Sequence, residues 1–171
     1  MPQYSDELIK SVLRSTKVIA MVGASGNEMR PSYFAMKYLL DKGFTVIPIN
    51  PGMAGKTILG QTVYTSLKDL PAPVDMVDIF RASDAAPGIV HEALAEKDRL
   101  GIKTIWMQLG IISEEAAALA REAGLTVVMD RCPKIEYGRL SGEISWLGVN
   151  RRTIDNRKPL LFNKGGALRR L

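Results

Sequence analysis

Five short runs of almost continuously apolar and β-branched residues recur along the chain, and each is followed by a more polar stretch. Strands covered on both faces of a sheet have this composition. Their alternation with helical stretches is typical of parallel-sheet units joined by crossover helices. The predicted strands cover residues 17–22, 44–49, 74–80, 103–107 and 125–129.

The polar stretches carry helix start and stop signals. Pro31 suits the first position of a helix, and Gly43 suits the residue after its end. An N-terminal helix is expected over about residues 5–13. Together these elements predict a doubly wound, Rossmann-like α/β fold, with an open parallel sheet of about five strands and helices on both faces. Two further helices are expected to begin at capping side chains and end at glycine, from Ser83–Asp84 to Gly101 and from Ser113 to Gly124.

A loop of small residues follows the first predicted strand. It reads GASGNEMRPS over residues 23–32, with Arg30 just before the expected helix start. In a doubly wound sheet the ligand binds beyond the carboxyl ends of the strands. Exposed backbone N–H groups, the positive end of a helix and a guanidinium together favour an anion of the pyrophosphate type.

The nicotinamide dinucleotide pattern fits this loop poorly. It requires glycine at positions 25 and 28, where the chain has Ser25 and Glu28. The second strand also ends in Asn50–Pro51 rather than in the acidic residue that binds ribose hydroxyls. These departures argue against a nicotinamide dinucleotide. An NAD(P)-binding oxidoreductase or redox sensor is kept as the alternative hypothesis.

A neutral strand end with Lys56 nearby suits a phosphorylated ribose better. Coenzyme A carries a 3′-phosphate as well as a pyrophosphate, so Arg30 and Lys56 could contact separate anionic groups. The segment NPGMAGKT, residues 50–57, ends like a P-loop but has Asn50 where the pattern needs glycine. A turn and a short strand are expected after it instead of a helix, which argues against a nucleotide hydrolase.

Six segments taken together resemble the small bacterial stand-alone CoA-binding proteins, which are similar to the N-terminal CoA-binding domain of the succinyl-CoA synthetase α-subunit. The resemblance covers about residues 5–138 and implies binding of coenzyme A or acyl-CoA. The segments are VGAS-x-N-x-x-RPS at 22–32, VIPINP at 46–51, AGKTILGQ at 54–61, VDMVDIFR at 74–81, WMQLG at 106–110 and VVMDRCP at 127–133.

The resemblance also implies roles for residues at matching positions. Residues 24–27 and Arg30 would hold the pyrophosphate. Relatives often carry a lysine at the position of Gly52. Because that lysine is missing here, Lys56 would be the main residue to bind the 3′-phosphate. The whole implied cofactor site is Gly23, Ala24, Ser25, Gly26, Asn27, Arg30, Pro31 and Ser32 in the first loop, Asn50, Pro51 and Lys56 at the adenosine end, and Phe80, Arg81, Gln108, Leu109, Gly110, Ile111 and Cys132 along the cleft.

No catalytic constellation is visible, so the protein is expected to bind its ligand without chemistry of its own. The lone histidine, His91, is predicted to lie mid-helix as a surface or packing residue. Ser25 lacks a histidine to activate it. Cys132 is interpreted as a small buried hydrophobe, with a mixed disulfide to the CoA thiol as the functional hypothesis, because neighbouring Arg131 could lower the thiol pKa. One cysteine and one histidine argue against a metal site.

The charge distribution divides the chain of 171 residues. Residues 139–171 carry eight basic and two acidic side chains, whereas residues 1–138 carry 15 basic and 16 acidic ones. We therefore expect a CoA-binding domain over residues 1–138 and a basic tail over 139–171. The tail could mediate a homodimer or bind a protein partner; nucleic acid is disfavoured because a binding motif and a stacking platform are missing. Without a signal peptide or a membrane-length apolar run, the expected location is cytoplasmic.

Overall fold

A parallel sheet organises the protein, whose computed structural model describes residues 2–71 and 73–142. In chain order, the strands are β1 (Val18–Val22), β2 (Thr45–Ile49), β3 (Thr57–Ile58), β4 (Gln61–Thr62), β5 (Met76–Ile79), β6 (Thr104–Met107) and β7 (Thr126–Val128). Strands β3 and β4 form a small separate hairpin, and the others form the parallel sheet. The order in the sheet is β2-β1-β5-β6-β7, with all neighbours parallel. This confirms the predicted five-stranded Rossmann-like α/β fold, and each strand is slightly shorter than its apolar run.

Helices cover both faces of the sheet. They are α1 (Asp6–Ser15), α2 (Pro31–Asp41), α3 (Ala86–Leu100), α4 (Glu114–Glu122) and α5 (Pro133–Ser141). Buried residues of α1, α2 and α5 form one hydrophobic cluster with the sheet, and those of α3 and α4 form the other. Because successive side chains of a strand point to opposite faces of the sheet, Met76 of β5 packs in the first cluster and Val77 packs in the second.

Two of the expected helix boundaries are made by the residues predicted for them. Pro31 is the first residue of α2, and Ser113 caps α4 by accepting a hydrogen bond from Ala116 N at 3.3 Å. The prediction that Ser83–Asp84 cap α3 is wrong. Residues 83–85 form a 3₁₀ turn, and the Ser83 hydroxyl accepts instead from Ile112 N at 3.1 Å. The Ser83 hydroxyl oxygen is therefore used in a tertiary hydrogen bond with the loop after β6 and does not cap α3.

Helix α5 was not predicted, although Pro133 at its start and Gly142 at its end, with φ of 85°, are ordinary helix signals. The domain boundary proposed after residue 138 falls inside this helix. Arg139 donates to Asp6 Oδ1 at 2.8 Å and to Glu136 Oε2 at 2.7 Å, so it is part of the folded domain. Residues 143–171, and the partner role suggested for them, lie outside the described residues. No described helix is long and apolar enough to cross a membrane.

Candidate ligand-binding site

The loop after β1, residues 23–30, is called here the glycine loop, and it is fastened to the end of β2. The N–H groups of Gly23 and Ala24 both donate to Ile49 O, at 3.0 and 3.3 Å. Asn50 Nδ2 donates to Ala24 O at 2.8 Å. These bonds hold the start of the loop at the carboxyl edge of the sheet.

Side chains within the glycine loop fold it into successive turns. Ser25 Oγ accepts from Asn27 N at 3.1 Å, and Asn27 Oδ1 accepts from Met29 N at 2.9 Å. The Ser25 hydroxyl therefore has a structural role. The N–H groups of Ser25, Gly26 and Ser32 donate to no acceptor among the described residues. Two of these donors lie in the glycine loop and the third lies in the first turn of α2, so all three are available to an anion.

Neighbouring segments press closely on the two glycines of the loop. A Cβ on Gly23, whose φ is 88°, would lie 2.7 Å from Phe80 O and 2.9 Å from Arg81 Cδ. A Cβ on Gly26 would lie 2.8 Å from Met53 Cε. The loop therefore lies between the segment after β5 and the segment after β2, and any larger side chain at Gly23 would displace backbone.

Three positive side chains lie in the glycine loop or in the segments that contact it. Arg30 occupies the N-cap of α2, Arg81 follows β5, and Lys56 lies in the β2–β3 connection. All three are exposed, and none forms a salt bridge with a described residue. Their charges are available to a bound anion.

The segment that resembles a P-loop is a turn followed by a hairpin, as expected. Asn50 Oδ1 accepts from Gly52 N at 2.9 Å and fixes the 3₁₀ turn Pro51–Met53. The chain then enters β3 and β4 rather than a helix. Since a P-loop needs a helix N-terminus directly after its lysine, this segment cannot cradle phosphate in that manner.

A buried polar pair lies where β5 and β6 end. Gln108 Nε2 donates to both carboxylate oxygens of Asp78, at 2.9 and 3.1 Å. Asp78 is fully buried, and burial raises the pKa of its carboxyl to about 7 against the lowering effect of Gln108. The amide of Gln108, which was expected to line the cleft, is directed at Asp78, and Leu109 and Gly110 next to it are exposed.

Cys132 lies at the N-cap of α5 and is buried. Burial raises the pKa of its thiol. The expectation that Arg131 lowers this pKa is wrong, because the Arg131 guanidinium is directed elsewhere. It donates to Asp130 O at 2.7 Å and to Pro2 O at 3.0 Å. The interpretation of Cys132 as a small buried residue agrees with this environment, and His91 is exposed on α3.

Residues 17–138 match the sequence profile of a family described as a CoA binding domain. The chain belongs to this family. It is 38% identical over 137 residues to uncharacterized protein YneT of Bacillus subtilis strain 168, covering 80% of this chain and 97% of that protein. This CoA-binding domain thus spans nearly the whole of a bacterial relative.

Two solved structures extend the comparison. Cell-free ID.343 from Thermus thermophilus is 36% identical with a TM-score of 0.73, covering 80% of this chain and 98% of that one. A dinucleotide-forming acetyl-coenzyme A synthetase of Ca. Korarchaeum cryptofilum is 27% identical with a TM-score of 0.55, covering 66% of this chain and 25% of that one. The CoA-binding domain fold therefore occurs both alone and as a quarter of a larger enzyme.

Two features of this CoA-binding domain escaped the sequence analysis. The role of Asp78 had one available signal, an acidic residue between Val77 and Ile79 in the strand-forming part of the run VDMVDIF. The contact of Met53 with the glycine loop had none, because its partner is 27 positions away and nothing local distinguishes that methionine.

Proposed function

We propose that this protein binds coenzyme A or an acyl-CoA non-covalently at the carboxyl edge of its sheet, between the glycine loop and the ends of β5 and β6. The observation that carries the proposal is the combination of three available N–H donors, at Ser25, Gly26 and Ser32, with exposed cations of the same region that form no salt bridge with a described residue. A pyrophosphate needs several donors and positive charges at once. Membership in the CoA-binding domain family supports this ligand over other diphosphates.

The two ends of the ligand are assigned to different residues. Arg30 and the open N–H groups hold the pyrophosphate together with Arg81, whose Cδ would lie 2.9 Å from a Cβ on Gly23. Lys56 meets the 3′-phosphate, because it lies in the same connection as Asn50 and Met53, which contact the glycine loop. The pantetheine arm then follows the strand ends toward Leu109 and Gly110, which are exposed.

We further propose that the domain performs no covalent chemistry on this ligand. Thiolate attack by Cys132 is opposed by its burial and by the raised pKa of its thiol. Ser25 is engaged in a turn, and His91 lies on α3 rather than at the strand ends. Incubation with acyl-CoA and mass spectrometry of the protein would contradict this proposal if they revealed an acyl or CoA adduct.

Calorimetric titration with CoA, dephospho-CoA, NAD and ATP tests the proposal. We expect CoA to bind, and dephospho-CoA to bind about 10- to 100-fold more weakly, because one hydrogen bond between charged groups is lost. In Lys56→Ala this difference should disappear, whereas Lys68→Ala, an exposed lysine on another segment, should keep it. NAD binding without CoA binding would replace the proposal with the dinucleotide alternative.

A further inference from the structure

A cavity lies at the same edge of the sheet, beside the proposed cleft. Its volume is about 360 Å³, within the range of small-molecule sites. We call it the rim cavity. Leu109 belongs both to its wall and to the proposed cleft, and Arg131 in its wall directly precedes Cys132. The lining residues are Tyr4, Asp6, Ile9, Leu109, Arg131, Glu136 and Arg139.

The charged groups of the rim cavity compensate one another. Arg139 donates to both Asp6 and Glu136, and its hydrogen bond lowers the pKa of the Asp6 carboxyl. Two carboxylates and two guanidiniums give the cavity no net charge. An anionic group entering it would face both carboxylates, while both guanidiniums already donate to protein oxygens, so the cavity disfavours phosphate and carboxylate.

One donor and one acceptor in the wall are still open. Arg131 Nε and Glu136 Oε1 are 3.9 Å apart, too far for a hydrogen bond, and neither has a hydrogen-bond partner among the described residues. The Glu136 side chain is only 10% exposed. A hydroxyl oxygen at about 2.8 Å from both atoms would accept from Arg131 and donate to Glu136.

Carbon surface in the wall comes from Tyr4 and Leu109. The Tyr4 ring lies 5.7 Å from the Arg131 guanidinium, and Leu109 is exposed, whereas Ile9 is only 1% exposed. A short carbon chain would pack against these groups. An unsubstituted chain would displace water from Arg131 and Glu136 and offer them nothing in return, which opposes its binding.

We propose that the rim cavity receives the acyl group of the bound thioester and selects a short acyl chain that bears a hydroxyl group. This inference rests on the proposed CoA site, which would deliver the acyl end past Leu109. It names a ligand class, the short-chain hydroxyacyl-CoA thioesters.

Calorimetric titration of the unmodified protein with CoA, butyryl-CoA, 3-hydroxybutyryl-CoA of each configuration, and succinyl-CoA tests it. One configuration of 3-hydroxybutyryl-CoA should bind about five- to tenfold tighter than butyryl-CoA, the effect of a hydrogen-bonded hydroxyl. Equal affinities, or tighter binding of succinyl-CoA, would overturn the inference while CoA binding still supported the proposed function. Failure of CoA itself to bind would overturn both.

Glu136→Met, which removes the acceptor and keeps the length of the side chain, should lower the affinity for 3-hydroxybutyryl-CoA to that for butyryl-CoA. Glu122→Met, an exposed glutamate-to-methionine change on α4, should keep the hydroxyl preference. A preference that persists in Glu136→Met would assign the hydroxyl to another site. Circular dichroism checks that both variants fold, and the comparison on the unmodified protein decides the inference even if Glu136→Met does not.

Discussion

Two regions at the carboxyl edge of the sheet both contain basic side chains, but the two sets differ in whether they are bonded to acidic or carbonyl oxygens. Around the glycine loop, Arg30, Lys56 and Arg81 are exposed and without salt bridges to described residues. Around the rim cavity, Arg131 and Arg139 are bonded to carbonyl and carboxylate oxygens. Unpaired cations beside open N–H groups suit an anion, whereas a compensated set suits a neutral polar group. The contrast matches a ligand with phosphates at one end and an acyl thioester at the other.

The largest effect is expected from adding a side chain to the glycine loop at Gly23. In Gly23→Ala the new methyl group would meet Phe80 O and Arg81 Cδ, and the backbone would be strained at φ of 88°. We expect loss of about 2–4 kcal/mol of stability and at least about a 100-fold fall in CoA affinity. Urea unfolding and calorimetry measure the two effects.

The matched control is Gly43→Ala. Its φ is 92°, but no atom lies within 4 Å of its would-be Cβ. The control should cost about 1 kcal/mol and leave CoA binding unchanged. If both variants bind CoA like the unmodified protein, the anion site does not lie at the glycine loop.

The next effect concerns Asp78, which lies between the two regions. Because burial raises the pKa of its carboxyl from 3.8 to about 7, the folded state holds this proton at pH values where the unfolded state has lost it. The stability contributed by this group is therefore complete below about pH 4 and is lost as the pH rises toward 7.

Asp78→Asn should remove that pH dependence and raise stability at pH 8 by about 2–4 kcal/mol, provided that the Gln108 amide rotates to accept from the new amide. Urea unfolding of both proteins at several pH values between 4 and 8 measures it. Parallel stability curves for the two proteins would show that Asp78 is ionised in the folded state at all these pH values.

A smaller effect on CoA affinity is expected from a change at the proposed pyrophosphate site. Arg30→Ala should weaken CoA binding about 10- to 100-fold, as loss of a charged hydrogen bond requires, without changing the preference among acyl groups. Lys37→Ala, which changes an exposed basic residue inside α2, is the control. Calorimetry at constant salt compares the three proteins, and an Arg30→Ala variant that binds CoA normally would contradict the assignment of the pyrophosphate.

Local patterns predicted the elements of this fold. The apolar runs gave five strands, Pro31 and Ser113 marked helix starts, and glycines marked turns, because each feature depends on a few consecutive residues. The Ser83 cap failed where a distant N–H competed for the same oxygen. Helix α5 was not predicted, although Pro133 and Gly142 are adequate local signals for its two ends.

The sequence by itself determined the doubly wound fold and the composition of the glycine loop at the end of β1. Only the tertiary structure decided which charges stay open and which are compensated. Arg139 reaches Asp6 across 133 positions, and Arg131 reaches Pro2 across 129. Burial of Cys132 and the turn of Gln108 toward Asp78 likewise depend on neighbours far along the chain. Strand and helix patterns are local, whereas pairing, burial and pKa are properties of contacts that the folded chain creates.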